Sequence, residues 1–262
     1  MRDESYNKAL RELNLDYPAV AIKFCFEKPD APHYDGPKTA FCEFVSIVQK
    51  TKKSFYITAE DDTCNGKLVL GMEDKSPVTC SGIVGYDFEI YRSPSANRAL
   101  YQNLPVIEKG TVKYVLFAPA ESCDFDPELV MFVAPNEQAD IIMRATSYIN
   151  GEPWESKSTP VISCGWMYSY PVISGKINHI TTGFYHGLKR RGTYPAGLRM
   201  IAIPYQKQEV FFAGLKEMPK TPIAFRTDEE SQAELAKRMA HWQELATENG
   251  THCHIKALED EN

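Results

Sequence analysis

Apolar positions along this chain follow two rhythms, one helical and one extended. Residues 4–15 set Leu10, Leu13 and Leu15 among polar partners and predict a helix. After Pro18, the run Ala19-Val20-Ala21-Ile22-Lys23-Phe24-Cys25-Phe26 predicts a strand. Residues 27–38, with Pro29, Pro32, Gly36 and Pro37, read as an exposed loop. From Thr39 to Lys50, Phe41, Phe44, Val45 and Val48 return at helical spacing, which sets Cys42 near a helix N-terminus. There the dipole and free backbone N–H groups favour a thiolate. Phe55-Tyr56-Ile57-Thr58 predicts a second strand. The acidic Glu60-Asp61-Asp62 after it reads as a solvated turn, with hard-metal ligation as the alternative.

Further along, Lys113–Pro119 and Leu129–Pro135 are strands that stop at proline. The second leads into a helix from Asn136 to Ile149, with Asn136 as its N-cap. Leu198–Pro204 repeats the pattern and is followed by a helix carrying Val210, Phe211, Ala213 and Leu215. Two strand-proline-helix units suggest an internal duplication or twinned βα units. Their continuous apolar strands predict a sheet covered on both faces. The fold class expected is α/β (mixed α+β), a mostly buried mixed sheet with packed helices. Residues 1–220 would form one domain, 221–250 a C-terminal helix packed on it, and 251–262 a frayed tail. That helix shows Leu235, Met239, Trp242 and Leu245, a cap at Asp228 and a stop at Gly250.

Composition narrows the function. A length of 262 residues, 43% hydrophobic and 24% charged, is ordinary for a globular chain. A net charge of −6 argues against nucleic acid and anionic membranes as partners. The local basic cluster Lys189-Arg190-Arg191 is suited to a phosphate or carboxylate, or reads as solvated loop charge. The N-terminus lacks the apolar core of a signal peptide, and no apolar run reaches the roughly 18 residues of a membrane span. The cytoplasm is the expected compartment. Phosphate-binding Gly-x-x-x-x-Gly-Lys-Ser/Thr, Gly-x-Gly-x-x-Gly, Gly-x-Ser-x-Gly and His-Glu-x-x-His motifs are absent from the sequence.

Seven cysteines in such a chain are free thiols or metal-bound thiolates rather than a disulfide framework. Cys25 and Cys253 read as small apolar residues. Cys64 opens Cys-Asn-Gly, Cys80 opens Cys-Ser-Gly, Cys164 precedes Gly165, and Cys42 lies in Phe-Cys-Glu-Phe. Glycine beside a cysteine permits positive φ and brings sulfur close to another group.

These segments, in order, resemble domain-of-unknown-function family 169. The resemblance rests on Pro18-Ala19-Val20-Ala21-Ile22-Lys23-Phe24, Phe41-Cys42-Glu43-Phe44, and Cys64-Asn65-Gly66 leading to Leu70-Gly71. Leu116 to Glu121, Pro127 to Gly151, Ser163-Cys164-Gly165 and Gly197 to Tyr205 extend it over most of positions 10–218. The resemblance implies a cytoplasmic prokaryotic protein of a family frequent in anaerobes and archaea, and so adds weight to oxygen-sensitive thiolate chemistry. Members often carry another cysteine near the position of Gly183-Phe184, which this chain lacks. A four-cysteine site would then recruit Cys80 or Cys123, and Cys80 has its own Ser-Gly turn.

The leading expectation is therefore a [4Fe–4S] cluster, or zinc as the alternative, held by Cys42, Cys64, Cys80 and Cys164. Scattered core thiols are the plainer explanation. Lys23 either points inward to a carboxylate or cluster charge, or stands at an edge with its amine in water. A second expectation is a metal-free small-molecule enzyme or sensor. Its pocket would come from the loop-rich stretch Cys164 to Arg191, with Trp166, Tyr168, Lys189 and Arg190 as ligand-binding candidates. Cys164 paired with His179 or His186 would supply nucleophile and base, and Glu121 at a strand end would be an acid/base group. Partners expected are a small molecule or a redox protein, with oligomerisation through the C-terminal helix as a further possibility.

Overall fold

The computed structural model describes residues 4–249, so Gly250, Cys253 and the tail expected at 251–262 lie outside the described residues. The chain forms two compact units, Met1–Glu217 and Met218–Asn262. In the first unit, helix α1 (Glu4–Glu12) precedes strand β1 (Val20–Cys25), then α2 (Phe44–Thr51) and β2 (Phe55–Ile57). Four short helices follow: α3 (Gly66–Val69), α4 (Pro77–Ser81), α5 (Ile83–Asp87) and α6 (Pro94–Asn103). Next come β3 (Tyr114–Pro119), β4 (Leu129–Ala134) and α7 (Asn136–Asn150). A π turn at Gly165–Ser169, α8 (Tyr170–Ser174), β5 (Asn178–Thr181), α9 (His186–Arg191), β6 (Arg199–Pro204) and α10 (Tyr205–Glu217) complete it. The second unit has a 3₁₀ turn and α11 (Glu229–Asn249), whose first turn is capped by Asp228 accepting from the Ser231 amide at 2.8 Å.

The six strands form one sheet in the order β2-β3-β1-β4-β6-β5. The mixed α/β class is as expected, but every pairing between these strands is antiparallel. A parallel neighbour needs a crossover that returns the chain to its starting end. Here residues 151–198 are used on cavity wall and β5, and deliver β6 from the opposite end. The continuous apolar runs report burial of both faces, whatever the strand direction. On one face α7 and α10 cover the sheet, with Phe132 against Phe211 at 5.4 Å and Tyr6 of α1 against Phe212 at 3.9 Å. On the other, Val20, Ile22, Phe117, Met131 and Met200 share a core with Phe41, Phe44, Leu70, Met167 and Tyr168.

The twinned βα units are present and adjacent, β4–α7 beside β6–α10. Asn136 is the first residue of α7 rather than its cap; the cap position is Pro135. The stretch from Cys164 to Arg191 is not loop-rich: it holds the π turn, α8, β5 and α9. Residues 66–103, silent in the periodicity, form the four short helices. Lys23 lies half-buried on β1, paired with Leu116 of β3 and one residue past the last pairing with β4.

Gly214 lets α10 approach α7, since a Cβ there would stand 1.8 Å from the Ala145 carbonyl oxygen. Alanine in a helix interior ordinarily gains up to about 1 kcal/mol over glycine. Gly214→Ala should instead destabilise by roughly 1–3 kcal/mol through forced separation of the helices, read as a lowered urea midpoint.

Candidate functional site

Three of the four singled-out cysteines share a cavity wall. Cys42, Cys64 and Cys164 line one cavity of about 170 Å³, together with Asn97, His186 and Arg190. Cys42 and Cys164 are buried, at 7% and 5% exposure, and Cys64 is half-buried.

Each cysteine is placed by a different local device. Cys42 sits in the 3₁₀ turn Phe41–Glu43 that opens into α2. Cys64 sits in the loop before α3. Asp62 joins the two: its carboxylate accepts the amides of Phe41 at 2.9 Å, Cys64 at 2.8 Å and Lys67 at 2.8 Å. Backbone bonds beside it, Thr39 N–H to the Asp61 carbonyl and Thr63 N–H to the Thr39 carbonyl, stitch the same segments. Burial holds the Asp62 carboxyl above the ordinary carboxylate value, against the pull of the Lys67, Cys64 and Phe41 amides. Gly66 completes the approach, because a Cβ there would fall 2.1 Å from that of Phe41.

Cys164 comes from the far side of the chain. Ile162, immediately before Ser163, has φ 56°, a left-handed conformation that a β-branched residue avoids. Its carbonyl accepts the Gly165 amide at 3.1 Å, turning the chain into the π turn. A Cβ on Gly165 would meet Leu104 Cδ1 at 2.6 Å. Ile162 and Ser163 line the cavity with Cys164, so the strained link forms part of its wall. The glycines after Cys64 and Cys164 thus serve close approach. Among the cysteine-adjacent glycines, only Gly82 has positive φ, at 81°.

Of the acidic run, Glu60 is exposed as a solvated turn would have it, whereas Asp61 and Asp62 are buried and hydrogen-bonded. Asp61 accepts from the Thr58 amide at 2.8 Å and hydroxyl at 2.9 Å, and pairs with His33 at 2.9 Å. Burial pushes its carboxyl up, but these partners outweigh it and leave the pKa below the ordinary value. Both carboxylates are spent on holding the β2–α3 connection.

The electrostatics of the thiols overturn one expectation. Burial, then the neighbouring Cys64, push the Cys42 thiol up to about 12, with Arg191 pulling the other way. Cys164 is raised well above 9.0 by burial, then by Cys42 and Cys64. Desolvation outweighs whatever the helix start offers, so both are neutral thiols at pH 7 and poor nucleophiles. Their mutual influence also places the three sulfurs in one electrostatic environment.

The remaining candidates are dispersed. Cys80, in α4, is absent from the cavity wall, although Tyr101 on that wall has its hydroxyl pushed to about 12 by burial, then by Cys80. Trp166 lines a separate hollow and donates from Nε1 to Thr159 Oγ1 at 2.7 Å. Tyr168 is fully buried against Phe41, with ring centroids 4.8 Å apart, and its hydroxyl has no hydrogen-bond partner. Lys189 is exposed outside the cavity, whereas Arg190 and His186 line it. His179 packs against Trp154 at 5.9 Å, also outside. Glu121 lines a hollow beside Arg11 and Asn14, and Lys23 alternates with Ile22 onto the sheet face away from the cysteines. The carboxylate near Lys23 is Glu128, which accepts the Phe24 amide at 2.9 Å.

Asn97, Arg191 and Ile162 also form the wall, and Asp62 organises it. Only Arg191 carried a sequence signal, as part of the basic cluster. Among the described residues, no three His, Cys, Asp or Glu side chains are grouped so that they could hold a single metal ion. Among them, too, no helix is long and apolar enough to cross a membrane.

Two outcomes are expected. Asp62→Ala should cost about 3 kcal/mol, the scale for hydrogen bonds to a buried charge, and speed alkylation of Cys42 by a thiol reagent. Cys42 favours folding while it is protonated. Its pKa rises from 9.0 in the unfolded chain to about 12 in the fold, so that stability is present below pH 9 and is lost as pH rises toward 12. Urea midpoints should fall across that window, and fall less steeply in Cys42→Ala.

Comparison with known proteins agrees with the segments that built this site. The family model described as Uncharacterised ArCR, domain-of-unknown-function family 169, matches residues 10–213. The chain is similar to Uncharacterized protein MJ0308 of Methanocaldococcus jannaschii, 22% identical over 211 residues that cover 78% of this chain and 89% of that protein. No solved structure matches it. With the matched region spanning the whole of the cysteine cavity, the chain belongs to domain-of-unknown-function family 169.

Proposed function

We propose that this protein binds an iron–sulfur cluster through Cys42, Cys64 and Cys164. The observation that carries the reading is convergence: three cysteines from distant segments line one cavity, brought there by a buried carboxylate and a strained turn. The donor set is soft, and the cavity wall includes no carboxylate, which suits iron–sulfur chemistry better than a hard cation. A single zinc ion needs its ligands packed around one point, and no such group exists among the described residues. The ligands of a cluster stand farther apart.

An orphaned group adds support. The Tyr168 hydroxyl is buried without a partner, yet it lies within the electrostatic reach of Cys164 and Cys42. Buried donors are rarely left unpaired. Cluster sulfides or thiolates would be acceptors for it, and hydrogen bonds to sulfur tune such centres. A bound cluster would supply electron transfer or Lewis acidity at the cavity. Cys80 is left out of the ligand set on position.

A second reading, a metal-free ligand pocket, draws on His186 and Arg190 in the same wall. The burial of Cys42 and Cys164 suits ligation better than attack on a substrate, so covalent thiol catalysis is not part of it.

Anaerobic purification followed by iron and acid-labile sulfide analysis tests the reading. The expected result is a brown protein with iron and sulfide in matching amounts. Both should be lost in Cys42→Ala, Cys64→Ala and Cys164→Ala and retained in Cys80→Ala, with circular dichroism confirming that each variant is folded. A folded wild-type protein that takes up neither iron nor sulfide on anaerobic reconstitution would refute it.

A further inference from the structure

Besides the thiols, the cavity wall carries an unused cation and an unused acceptor. Arg190 lines the cavity at its exposed rim and has no ion-pair partner among the described residues, whereas its neighbour Arg191 is paired with Glu43 at 3.6 Å. Asn97 is 1% exposed, and its Oδ1 is buried without a hydrogen-bond partner. It lies flat on Gly85, where a Cβ would come within 2.3 Å of its amide group. Val84, Ile162 and Phe88 give the same wall an apolar part, and no acidic residue lines the cavity.

From this arrangement we infer that the cavity binds a small hydroxy or amino acid, its carboxylate on Arg190 and its hydroxyl or ammonium donating to Asn97 Oδ1. A guanidinium presents a planar donor fork matched to a carboxylate. A buried carbonyl oxygen gains most from a ligand that brings it a donor, because leaving it unmet is costly. Both demands together select a short acid with a donor group near the carboxylate, and disfavour simple fatty acids and cations. The inference rests on the cavity of the proposed function but not on the metal.

The test is calorimetric titration of the full chain, metal-free and after anaerobic reconstitution, with L-lactate, glycolate and L-serine as probes and propionate as the control without a donor. At least one of the three should bind in one of the two forms, about tenfold or more tighter than propionate. Arg190→Gln should weaken that binding by about tenfold or more, and Asn97→Leu should erase the advantage over propionate. Unchanged melting of Arg190→Gln keeps the result interpretable if Asn97→Leu fails to fold. No binding of any probe at millimolar concentration, or binding indifferent to Arg190→Gln, overturns the inference. Iron and sulfide uptake without acid binding would defeat this inference alone. Acid binding by a protein that takes up no iron would defeat only the cluster.

Discussion

The cysteine cavity depends on one buried carboxylate. Asp62 accepts three backbone amides from two segments joined otherwise by a single β-bridge at Thr39 and Asp62, those of Phe41 in its turn and of Cys64 and Lys67 at the start of α3. Those amides belong to a helix start and an irregular loop, so no ladder would otherwise satisfy them. Burying a carboxylate is costly, and the three charge-assisted bonds offset that cost only when both segments are in place. The interaction therefore acts as a geometric lock. It fixes Cys42 and Cys64 on one wall before any ligand arrives, and Gly66 against Phe41 closes the remaining gap.

Cys164 reaches the same cavity by the opposite strategy, strain instead of satisfaction. A β-branched residue held at φ 56° costs on the order of 1–3 kcal/mol, and the π turn that follows departs from ordinary helical bonding. Such departures persist only where surrounding packing over-determines them. Here Met167 and Tyr168 of the turn itself are buried in the core, and Ser169 donates to the Val69 carbonyl at 2.8 Å. The result is a pair of desolvated thiols whose neutral form is favoured.

Much of the scaffold was legible in the chain. The strand after Pro18, the strands ending at Pro119 and Pro204, and the two helices that follow Pro135 and Pro204 stand where periodicity placed them. Long apolar runs leave little freedom in how they are buried. Strand direction was not legible, since a run covered on both faces looks alike in parallel and antiparallel sheets. The four helices of residues 66–103 were also silent: three have only four or five residues, too brief to show a period, and the polar α6 buries only Asn97, Leu100 and Tyr101. Trp166 and Tyr168 carried the composition of a pocket wall, but Trp166 lines a different hollow and Tyr168 belongs to the core.

By itself, the sequence determined the types of the long, strongly periodic elements, the free state expected of the thiols and the short list of cysteines with chemical potential. These follow from local propensity, composition and the spacing of apolar residues, all properties of neighbours along the chain. Only the tertiary structure decided that Cys42, Cys64 and Cys164 converge while Cys80 does not line their cavity, that Asp62 is a lock rather than a solvated acid, and that Arg190 and Asn97 face the same space. Convergence is a property of the folded path. It is set by hydrogen bonds and close contacts between residues a hundred or more positions apart, such as Ser169 with Val69 and Phe41 with Tyr168, which no local pattern records.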